Sequence, residues 1–506
     1  MPGHARSHRT AARALLVVAL AGGLVVGVNP AGTNAAPETV IRTVSIDATA
    51  LAGRGVGRMT DGSLLARTAG RTRSRTVCSP IWFDGLAFTW DQVGGAPARL
   101  VVATGARGDF GPTRTIGADD GPDLGTAEHA RGRLGSEYVW TGGARCVRVS
   151  VELRTGARIS ALRAVFLNTS GTPGGPGTGP TDVGPSLDER APLPGADAMT
   201  REPDFITRKQ WGANPKLMNC TPDVVRSLSV GFVHHTAGSN SYSRSQADDV
   251  VRGIYAYHTN VRGWCDIGYN FLVDRYGDVF EGRSGGVTND VVPAAQMGFN
   301  KGAFAVAVMG TFSAVAPPSR AIVALEHLLA WRLDVAHVNP RGHARMTSTG
   351  GPTTRYKRGT TVRLHAISGH RDTGLTSCPG ARLYSMLPSI RRVVARIGLP
   401  KLYAPRLSTT RVTAGEPTLI RIRAAGSRRL IWTVSVIDDG GHTVTTLPTQ
   451  RGDALDLRWH RATIASPGHY RVVIEASARS GKHAMPASLP LFARRPSPSP
   501  TASPSP

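Results

Sequence analysis

Residues 168–197 divide the chain, because their sequence, NTSGTPGGPGTGPTDVGPSLDERAPLPGAD, is rich in glycine and proline. Such a segment cannot bury enough apolar surface to order itself, so it is predicted to be a flexible linker. About 30 residues of flexible coil have an end-to-end distance of roughly 30 Å. A chain of 506 residues is also too long for one core. We therefore expect a multidomain protein in which the linker lets the following domain move.

Residues 1–36 have the composition of a secretory signal peptide. Arg6, Arg9 and Arg13 precede an apolar run over 14–28, and small residues follow it. The apolar run is short for a membrane span, and an uncleaved anchor is the alternative. We expect an exported protein that is secreted or extracellular. No stable membrane insertion is expected after signal removal.

Two regions are predicted to be all-β. Residues 37–167 alternate short apolar runs with Gly and Asp turns, which is typical of a β-sandwich or jelly roll. Residues 401–494 show alternating strands again and are predicted to form an Ig-like β domain. The Pro- and Ser-rich tail over 495–506 is predicted to be disordered.

Residues 198–400 mix helix and strand patterns, which predicts a central α/β domain with helices packed on a mixed β-sheet. VGFVHH and AFAVAVMG have the pattern of buried strands, and YNFLVDRYGDVFEGR that of a hairpin turning at Gly277. A helix is expected with Ser245 as its N-cap, and an amphipathic helix within PPSRAIVALEHLLAWRLDV. A final helix is expected to end at Gly398.

The net charge of the chain is +25, and arginine supplies nearly all of the positive charge. One interpretation is an acidic polymeric partner, such as nucleic acid or an anionic cell-wall polymer. The other is a general bias of composition towards arginine. The arginines are scattered, and no zinc-finger, RRM or heptad pattern occurs in the sequence. We therefore do not expect nucleic acid as a partner.

The chain has five cysteines, so at least one has no partner within the chain. Cys78 and Cys146 lie together in the N-terminal third, and Cys220 and Cys265 lie together in the middle. These two pairs are the expected disulfides, although connectivity cannot be deduced from sequence. The pairing leaves Cys378 as a free thiol in an oxidising compartment, where a bound metal would explain its persistence.

Cys378 follows His370 by eight positions in the loop SGHRDTGLTSCPG, and His234 lies at the end of the predicted strand VGFVHH. Zinc accepts imidazole nitrogen and thiolate, and a catalytic site uses three protein ligands with a fourth position left open. A zinc site is one interpretation of these residues. The others are structural roles for His234 and Cys378, or a hydrolase pair formed by Cys378 and His370.

Three motifs in this order resemble the peptidoglycan recognition protein / type 2 N-acetylmuramoyl-L-alanine amidase family. They are the HHT strand end, GWCDIGYNF and the GHRD…CPG loop. The similarity covers roughly residues 200–400 and is closest to exported bacterial members. The resemblance implies that Zn²⁺ is bound by His234, His370 and Cys378.

The resemblance also implies roles for neighbouring residues. Tyr269 matches the catalytic tyrosine that faces the reacting water, and Thr376 matches a position that holds Lys in some active members and Thr in others. His258 and Trp264 match positions near the substrate groove, with helix and loop packing as the alternative. His235, next to the first ligand, is grouped with these substrate-binding candidates, and a structural role is its alternative.

The function implied by the resemblance is zinc-dependent hydrolysis of the amide bond between N-acetylmuramic acid and L-alanine in peptidoglycan. The alternative is a non-catalytic peptidoglycan-binding or recognition protein. Family members that lack the cysteine ligand bind peptidoglycan without cutting it, and this sequence keeps Cys378. The expected partners are peptidoglycan and anionic cell-wall polymers, so the resemblance also implies association with the cell wall. The protein is expected to be a monomer.

Overall fold

The computed structural model describes residues 37–171, 200–462 and 464–496. The predicted signal peptide, nearly all of the predicted linker and most of the predicted tail lie outside the described residues. Within the described ranges, no helix is both long and apolar enough to cross a membrane.

The N-terminal region, residues 37–171, consists of ten β-strands and one short helix. The strands are β1 Val40–Ser45, β2 Val56–Arg58, β3 Leu64–Ala66, β4 Gly70–Arg71, β5 Arg75–Val93, β6 Arg99–Ala106, β7 Asp109–Phe110, β8 Arg114–Ile116, β9 Val139–Leu153 and β10 Arg158–Asn168; the helix α1 is Ala127–Arg131. Hydrogen bonds join the strands in the order β2-β3-β10-β5-β9-β6-β7, with β1 on β10, β4 on β9 and β8 on β6.

The long strands β5 and β9 form the centre of this sheet. Cys78 lies opposite Cys146 across the antiparallel pair, and the two form a disulfide. Alternate side chains of the strands, such as Leu100 and Val102, face one buried cluster, as the two-residue period predicts. The all-β character agrees with the sequence analysis, and the β-sandwich type stays a prediction.

The middle region contains eight strands and three helices. They are β11 Phe205–Ile206, β12 Val230–His235, α2 Ala247–Ala256, β13 Phe271–Val273, β14 Val279–Glu281, β15 Ala303–Val308, α3 Ser319–Val335, β16 His343–Thr347, β17 Thr361–His365, β18 Ile367–Gly369 and α4 Ala381–Val394. Six of the strands form a mixed sheet in the order β11-β14-β13-β15-β12-β18, and β16 pairs with β17 in a separate hairpin. The predicted α/β character is confirmed.

The direction of the central strands places three histidines at one edge of the sheet. Strand β12 runs parallel to both β15 and β18. Parallel strands end at the same edge. His234 and His235 are the last residues of β12, and His370 directly follows β18.

Strand β15 is buried on both faces, which explains its continuous apolar sequence. Ala305 and Ala307 face the cluster that includes α2, while Val306 and Val308 face the cluster that includes α3 and α4. The sheet therefore has helices on both sides, and the small alanine side chains leave room for α2.

Helix α2 begins after a 3₁₀ turn over Arg244–Gln246. The prediction of Ser245 as the N-cap is wrong, because the turn is closed by Ser243, whose backbone N–H donates to Gln246 Oε1 at 2.9 Å. A single π-helical turn, Tyr257–Val261, follows α2. The final helix also differs from expectation, since α4 ends at Val394 rather than at Gly398.

The N-terminal region packs against α2 and shares a buried cluster with it, which includes Tyr138 and Trp140. The Tyr138 hydroxyl lies 2.0 Å from the position that a Cβ on Gly253 would take. The Tyr257 hydroxyl donates to the Ser136 carbonyl at 2.7 Å. The expectation of a freely moving middle domain is wrong in this structure, because these side chains bury one another.

The C-terminal region is a six-stranded sheet, ordered β19-β21-β23-β24-β20 with β22 on β21. Its strands are β19 Leu402–Leu407, β20 Arg411–Thr413, β21 Thr418–Asp438, β22 Thr443–Ala462, β23 Gly468–Ser477 and β24 Ala487–Arg494. Lys401 joins it to α3, since Lys401 Nζ donates to the Ala330 carbonyl at 3.1 Å and lies 3.7 Å from Asp334 Oδ2. The Ig-like type stays a prediction.

Two substitutions in α3 test how this helix supports the sheet. Leu329 is fully buried between α3 and the sheet, and Leu329→Ala is expected to lower the free energy of unfolding by about 2–5 kcal/mol. Val323 on the same helix is 42% exposed, so Val323→Ala is expected to change it by less than about 0.5 kcal/mol. Hydrogen exchange of the α3 and β15 amides measures both effects. Equal loss of protection in the two variants would contradict the assignment of the buried face.

Candidate metal centre

Three side chains from separate segments meet at the edge of the sheet where β12 and β18 end. His234 ends β12, His370 follows β18, and Cys378 lies in the loop that leads to α4. One ligand atom from each residue lies within 4.8 Å of the other two, and all three residues are buried. Cys378 is a free thiol, while Cys220 and Cys265 form a second disulfide.

The His234 imidazole is oriented by an amide oxygen. Its Nε2 lies 3.0 Å from Gln296 Oε1, and its Nδ1 lies 3.7 Å from Cys378 Sγ. Because an amide oxygen only accepts hydrogen bonds, Nε2 carries the proton and Nδ1 keeps its lone pair. Burial lowers the pKa of His234 well below its usual value, so the ring is neutral. His234 therefore presents Nδ1 as a ligand towards Cys378.

The His370 imidazole is held by a carboxylate from the N-terminal region. His370 Nε2 lies 2.5 Å from Asp120 Oδ2. Two ligands of one tetrahedral zinc ion would be roughly 3.3 Å apart, given metal bonds of about 2.0–2.1 Å. Asp120 is therefore hydrogen-bonded to the ring rather than a joint ligand, which leaves Nδ1 for a metal.

The charge of Asp120 also controls the protonation of His370. Burial lowers the pKa of His370, but the negative charge and the hydrogen bond of Asp120 outweigh it and raise the pKa to about 10. A metal ligand must be a neutral imidazole, so metal binding here displaces the ring proton. Asp120 would then accept the remaining Nε2–H, as carboxylates commonly do behind metal-bound histidines.

The Cys378 thiol is enclosed by backbone and imidazole groups. The His235 backbone N–H donates to Cys378 Sγ at 3.3 Å. Burial raises the pKa of the thiol, while the hydrogen bond with His370 lowers it. The Cys378 backbone N–H donates to Thr376 Oγ1 at 3.1 Å, so Thr376 shapes the loop that carries the thiol. Two imidazole nitrogens and one thiolate fit the donor set of a zinc ion with an open fourth position.

Tyr269 lies beside His234, and His258 and Trp264 follow it in a chain of ring contacts; the catalytic role of Tyr269 and the substrate-binding roles of His258 and Trp264 stay predictions. The ring of Tyr269 is centred 5.4 Å from that of His234 and 5.8 Å from that of His258. Burial raises the pKa of Tyr269 well above its usual value, so it keeps its proton as a hydrogen-bond donor. His258 stacks on Trp264 with 4.3 Å between the ring centres, and its Nε2 lies 3.2 Å from Asp119 Oδ2.

His235 faces away from the three ligands, because successive side chains of a strand point to opposite faces. Its Nδ1 accepts a hydrogen bond from the Phe312 backbone N–H at 3.3 Å. Its Nε2 lies 3.9 Å from Glu137 Oε1, beyond hydrogen-bond length. Burial lowers the pKa of His235 to about 3, so the ring is neutral. These contacts tie β12 to the segment after β15, and the substrate-binding role of His235 stays a prediction.

Sequence reasoning missed Gln296 and Asp120, the two residues behind the imidazoles. Gln296 lies in VVPAAQMGFN, which has no pattern that marks a site. Asp120 comes from a different region and is 250 positions from His370. The adjacent Asp119 and Asp120 were the available signal, since the chain has only 35 acidic residues against 60 basic ones.

Comparisons with known proteins concern this same middle region. A family model described as N-acetylmuramoyl-L-alanine amidase matches residues 226–381. Peptidoglycan recognition protein 1 of Bos indicus is 31% identical over 192 residues, which cover 37% of this chain and 86% of that protein. Peptidoglycan-recognition protein SC2 of Drosophila melanogaster is 27% identical over 181 residues, which cover 36% and 83%.

Solved structures of similar proteins include human PGRP-IBETAC in complex with glycosamyl muramyl pentapeptide. It is 25% identical and aligns over 37% of this chain and 96% of that chain with a TM-score of 0.30. Drosophila PGRP-SD is 24% identical over 37% of this chain and 94% of that chain with a TM-score of 0.29. From the sequence relatives and the matching family model, the chain belongs to the peptidoglycan recognition protein / type 2 amidase family.

Proposed function

We propose that this protein is an exported, zinc-dependent amidase that hydrolyses the bond between N-acetylmuramic acid and L-alanine in peptidoglycan. The observation that carries the proposal is the meeting of His234, His370 and Cys378 within 4.8 Å, with Cys378 as a free, buried thiol. A thiol of this kind beside two imidazoles is the donor set of a catalytic zinc site with three protein ligands.

His234, His370 and Cys378 would hold the zinc ion, which would supply the Lewis acidity for activating water near neutral pH and polarising the scissile carbonyl. The protein's own side chains would orient the ligands and donate hydrogen bonds to the substrate. Gln296 fixes the tautomer of His234, and the Tyr269 hydroxyl donates to the oxygen that becomes negative as the carbonyl is attacked. Thr376 Oγ1 accepts from the Cys378 backbone N–H and so positions the thiol, and its hydroxyl is a second candidate donor to the substrate.

The second candidate function is peptidoglycan binding without hydrolysis, which the names of the similar recognition proteins favour. Digestion of purified peptidoglycan with and without a chelator separates the two. Free muramyl glycan and peptides that start with L-alanine, formed only without chelator, support the amidase. Unchanged polymer with retained binding supports the alternative. In either case the net charge of +25 favours adhesion to anionic wall polymers. Rising salt is expected to weaken this adhesion, because salt screens the charges, and binding assays at several salt concentrations measure the effect.

Cys378→Ser is expected to abolish both zinc binding and hydrolysis, because the thiolate ligand is lost. Metal analysis of the purified variant and muropeptide product analysis check this. Near-full zinc content and activity would show that the site is wrongly assigned. A hydrolase built on Cys378 and His370 would instead be blocked by thiol alkylation and survive chelators.

Tyr269→Phe is expected to keep the zinc content and to lower kcat by about 10²–10³, the usual effect of removing one oxyanion donor. Tyr276→Phe is the matched control, since the Tyr276 hydroxyl donates to the Tyr242 carbonyl rather than facing the ligands. Equal activity of the two variants would remove Tyr269 from the mechanism.

Gln296→Leu is expected to weaken zinc affinity by about 10- to 100-fold, because the acceptor behind His234 is lost at similar side-chain volume. Gln296→Glu keeps an acceptor oxygen and is expected to retain most of the affinity. Competition with a chromogenic chelator measures both. A Gln296→Leu variant with unchanged affinity would mean that His234 is oriented by other groups.

A further inference from the structure

A loop of the N-terminal region covers the candidate metal centre. This lid loop comprises residues 117–137, between β8 and β9, and includes α1. Its base is closed by two hydrogen bonds, from the Gly117 N–H to Glu137 Oε2 and from the Glu137 N–H to the Gly117 carbonyl, each 3.0 Å. The three metal ligands and Tyr269, His258 and Trp264 all have less than 9% of their surface exposed.

Two clefts open on the flanks of the lid loop. A cleft of about 390 Å³ is lined by Asp119, Gly121 and Trp264, and one of about 590 Å³ by Gly117, Thr376 and Ser377. None of the three metal ligands lines either cleft. Neither cleft therefore brings a polymeric substrate into contact with the three ligands, which are all buried beneath the surface.

The lid loop reaches the groove through acidic side chains. Asp119 Oδ2 accepts from Arg262 Nη1 at 3.0 Å and lies 3.2 Å from His258 Nε2. Asp120 Oδ2 contacts His370 and also accepts from the Met297 backbone N–H at 3.2 Å. The buried Arg262 guanidinium thus finds its anionic partner in the lid loop.

Two further carboxylates extend this pattern along the groove. Asp123 Oδ1 accepts from the Gly298 backbone N–H at 2.7 Å and from Asn300 Nδ2 at 2.8 Å. Glu128 Oε2 accepts from Arg283 Nη2 at 2.6 Å, and its Oε1 accepts from the Cys265 backbone N–H at 2.9 Å. Four of the five carboxylates of the lid loop therefore bind donors of the middle region.

The backbone of the lid loop lies against Trp264, the residue predicted to lie near the substrate groove. A Cβ on Gly121 would be 3.0 Å from Cζ2 of Trp264. Glycine is thus the residue that lets the lid loop lie flat on this ring, and a larger side chain would push the two apart.

The contacts of the lid loop differ in kind from the apolar contacts of Tyr138 and Trp140 with α2. Buried ion pairs add little net stability, because desolvation offsets their attraction. The fit is also incomplete, since Arg283 Nε and Gln296 Nε2 are buried with no hydrogen-bond partner in the part of the chain that the structure describes. A ligand with acceptor atoms at these two positions would satisfy donors that the lid loop leaves unpaired.

We propose that the lid loop is a tethered occupant of the substrate groove, whose carboxylates take the place of the carboxylates and carbonyls of the peptidoglycan stem peptide. The identity of that substrate rests on the function proposed above. The groove stays closed until the lid loop moves out of it. The loop pivots at its base, which is formed by Gly117 and Glu137. The apolar contact on α2 keeps the N-terminal region docked while the loop moves.

The rate at which Cys378 is alkylated in the metal-free full-length protein tests whether the lid loop covers the site. This measurement does not depend on catalysis. Cys378 is the free thiol of the described residues and is 2% exposed. Gly121→Val, which displaces the loop from Trp264, is expected to raise the rate of alkylation of Cys378 by at least about tenfold. Gly111→Val is the matched control, because a Cβ there would meet only the Thr104 carbonyl at 3.6 Å. Its alkylation rate is expected to equal that of the wild type.

A second variant removes two charges of the lid loop that do not contact the metal ligands, and so weakens the binding of the loop to the middle region. Asp123→Asn with Glu128→Gln is expected to raise the alkylation rate in the same direction, with Asp109→Asn on β7 as the control. Soluble muramyl pentapeptide is expected to bind the Gly121→Val chain at least about tenfold more tightly than the wild type and to protect Cys378. Protection also distinguishes an open groove from an unfolded chain.

Equal alkylation rates and equal pentapeptide affinity in wild type and Gly121→Val would overturn the proposal. Hydrolysis by the zinc-loaded chains gives a separate result. Faster alkylation in Gly121→Val with no hydrolysis by any chain would support the cover and reject the amidase. Hydrolysis at equal rates, with equal alkylation, would support the amidase and reject the cover.

Discussion

Parallel hydrogen bonding of β12 to β15 on one side and to β18 on the other is the constraint on which the site depends. It brings the end of β12 and the segment after β18 to one edge of the sheet, although they are far apart in the chain. A slip of one residue would turn His234 to the opposite face and bring His235 towards Cys378. The register therefore decides which of two adjacent histidines faces Cys378 as the candidate ligand and which one packs against Phe312.

The elements and the candidate ligand residues next to strong local patterns could be identified from the sequence, and contacts between regions could not. His234, His370 and Cys378 each lie in a motif, and the strands that carry them have clear apolar patterns. Gln296 and the lid loop act through tertiary contacts that leave no period in the sequence. The composition of the linker describes that segment alone and carries no information on whether the regions it joins pack together.

Even a local error had a physical reason. Ser243 and Ser245 are both acceptable caps by residue type, but only Ser243 has a glutamine three positions later that can close the turn. The interface between the N-terminal region and the middle region likewise depends on particular side chains, and it combines apolar and ionic contacts. Its apolar part, on α2, is suited to permanent contact. Its acidic part binds Arg262 and His370 through carboxylates, and an anionic ligand could take the place of those carboxylates.

Gly253 lies inside α2, where glycine lowers helix stability by about 0.5–1 kcal/mol relative to alanine. The space that an alanine methyl group would need is filled by the hydroxyl of Tyr138, which also packs against Gly85. The glycine therefore lowers the intrinsic stability of α2 and makes room for a side chain of the N-terminal region. Without the N-terminal region against α2, a bulkier residue would fit at this position, so the packing of the two regions reaches into the choice of a single residue inside the helix.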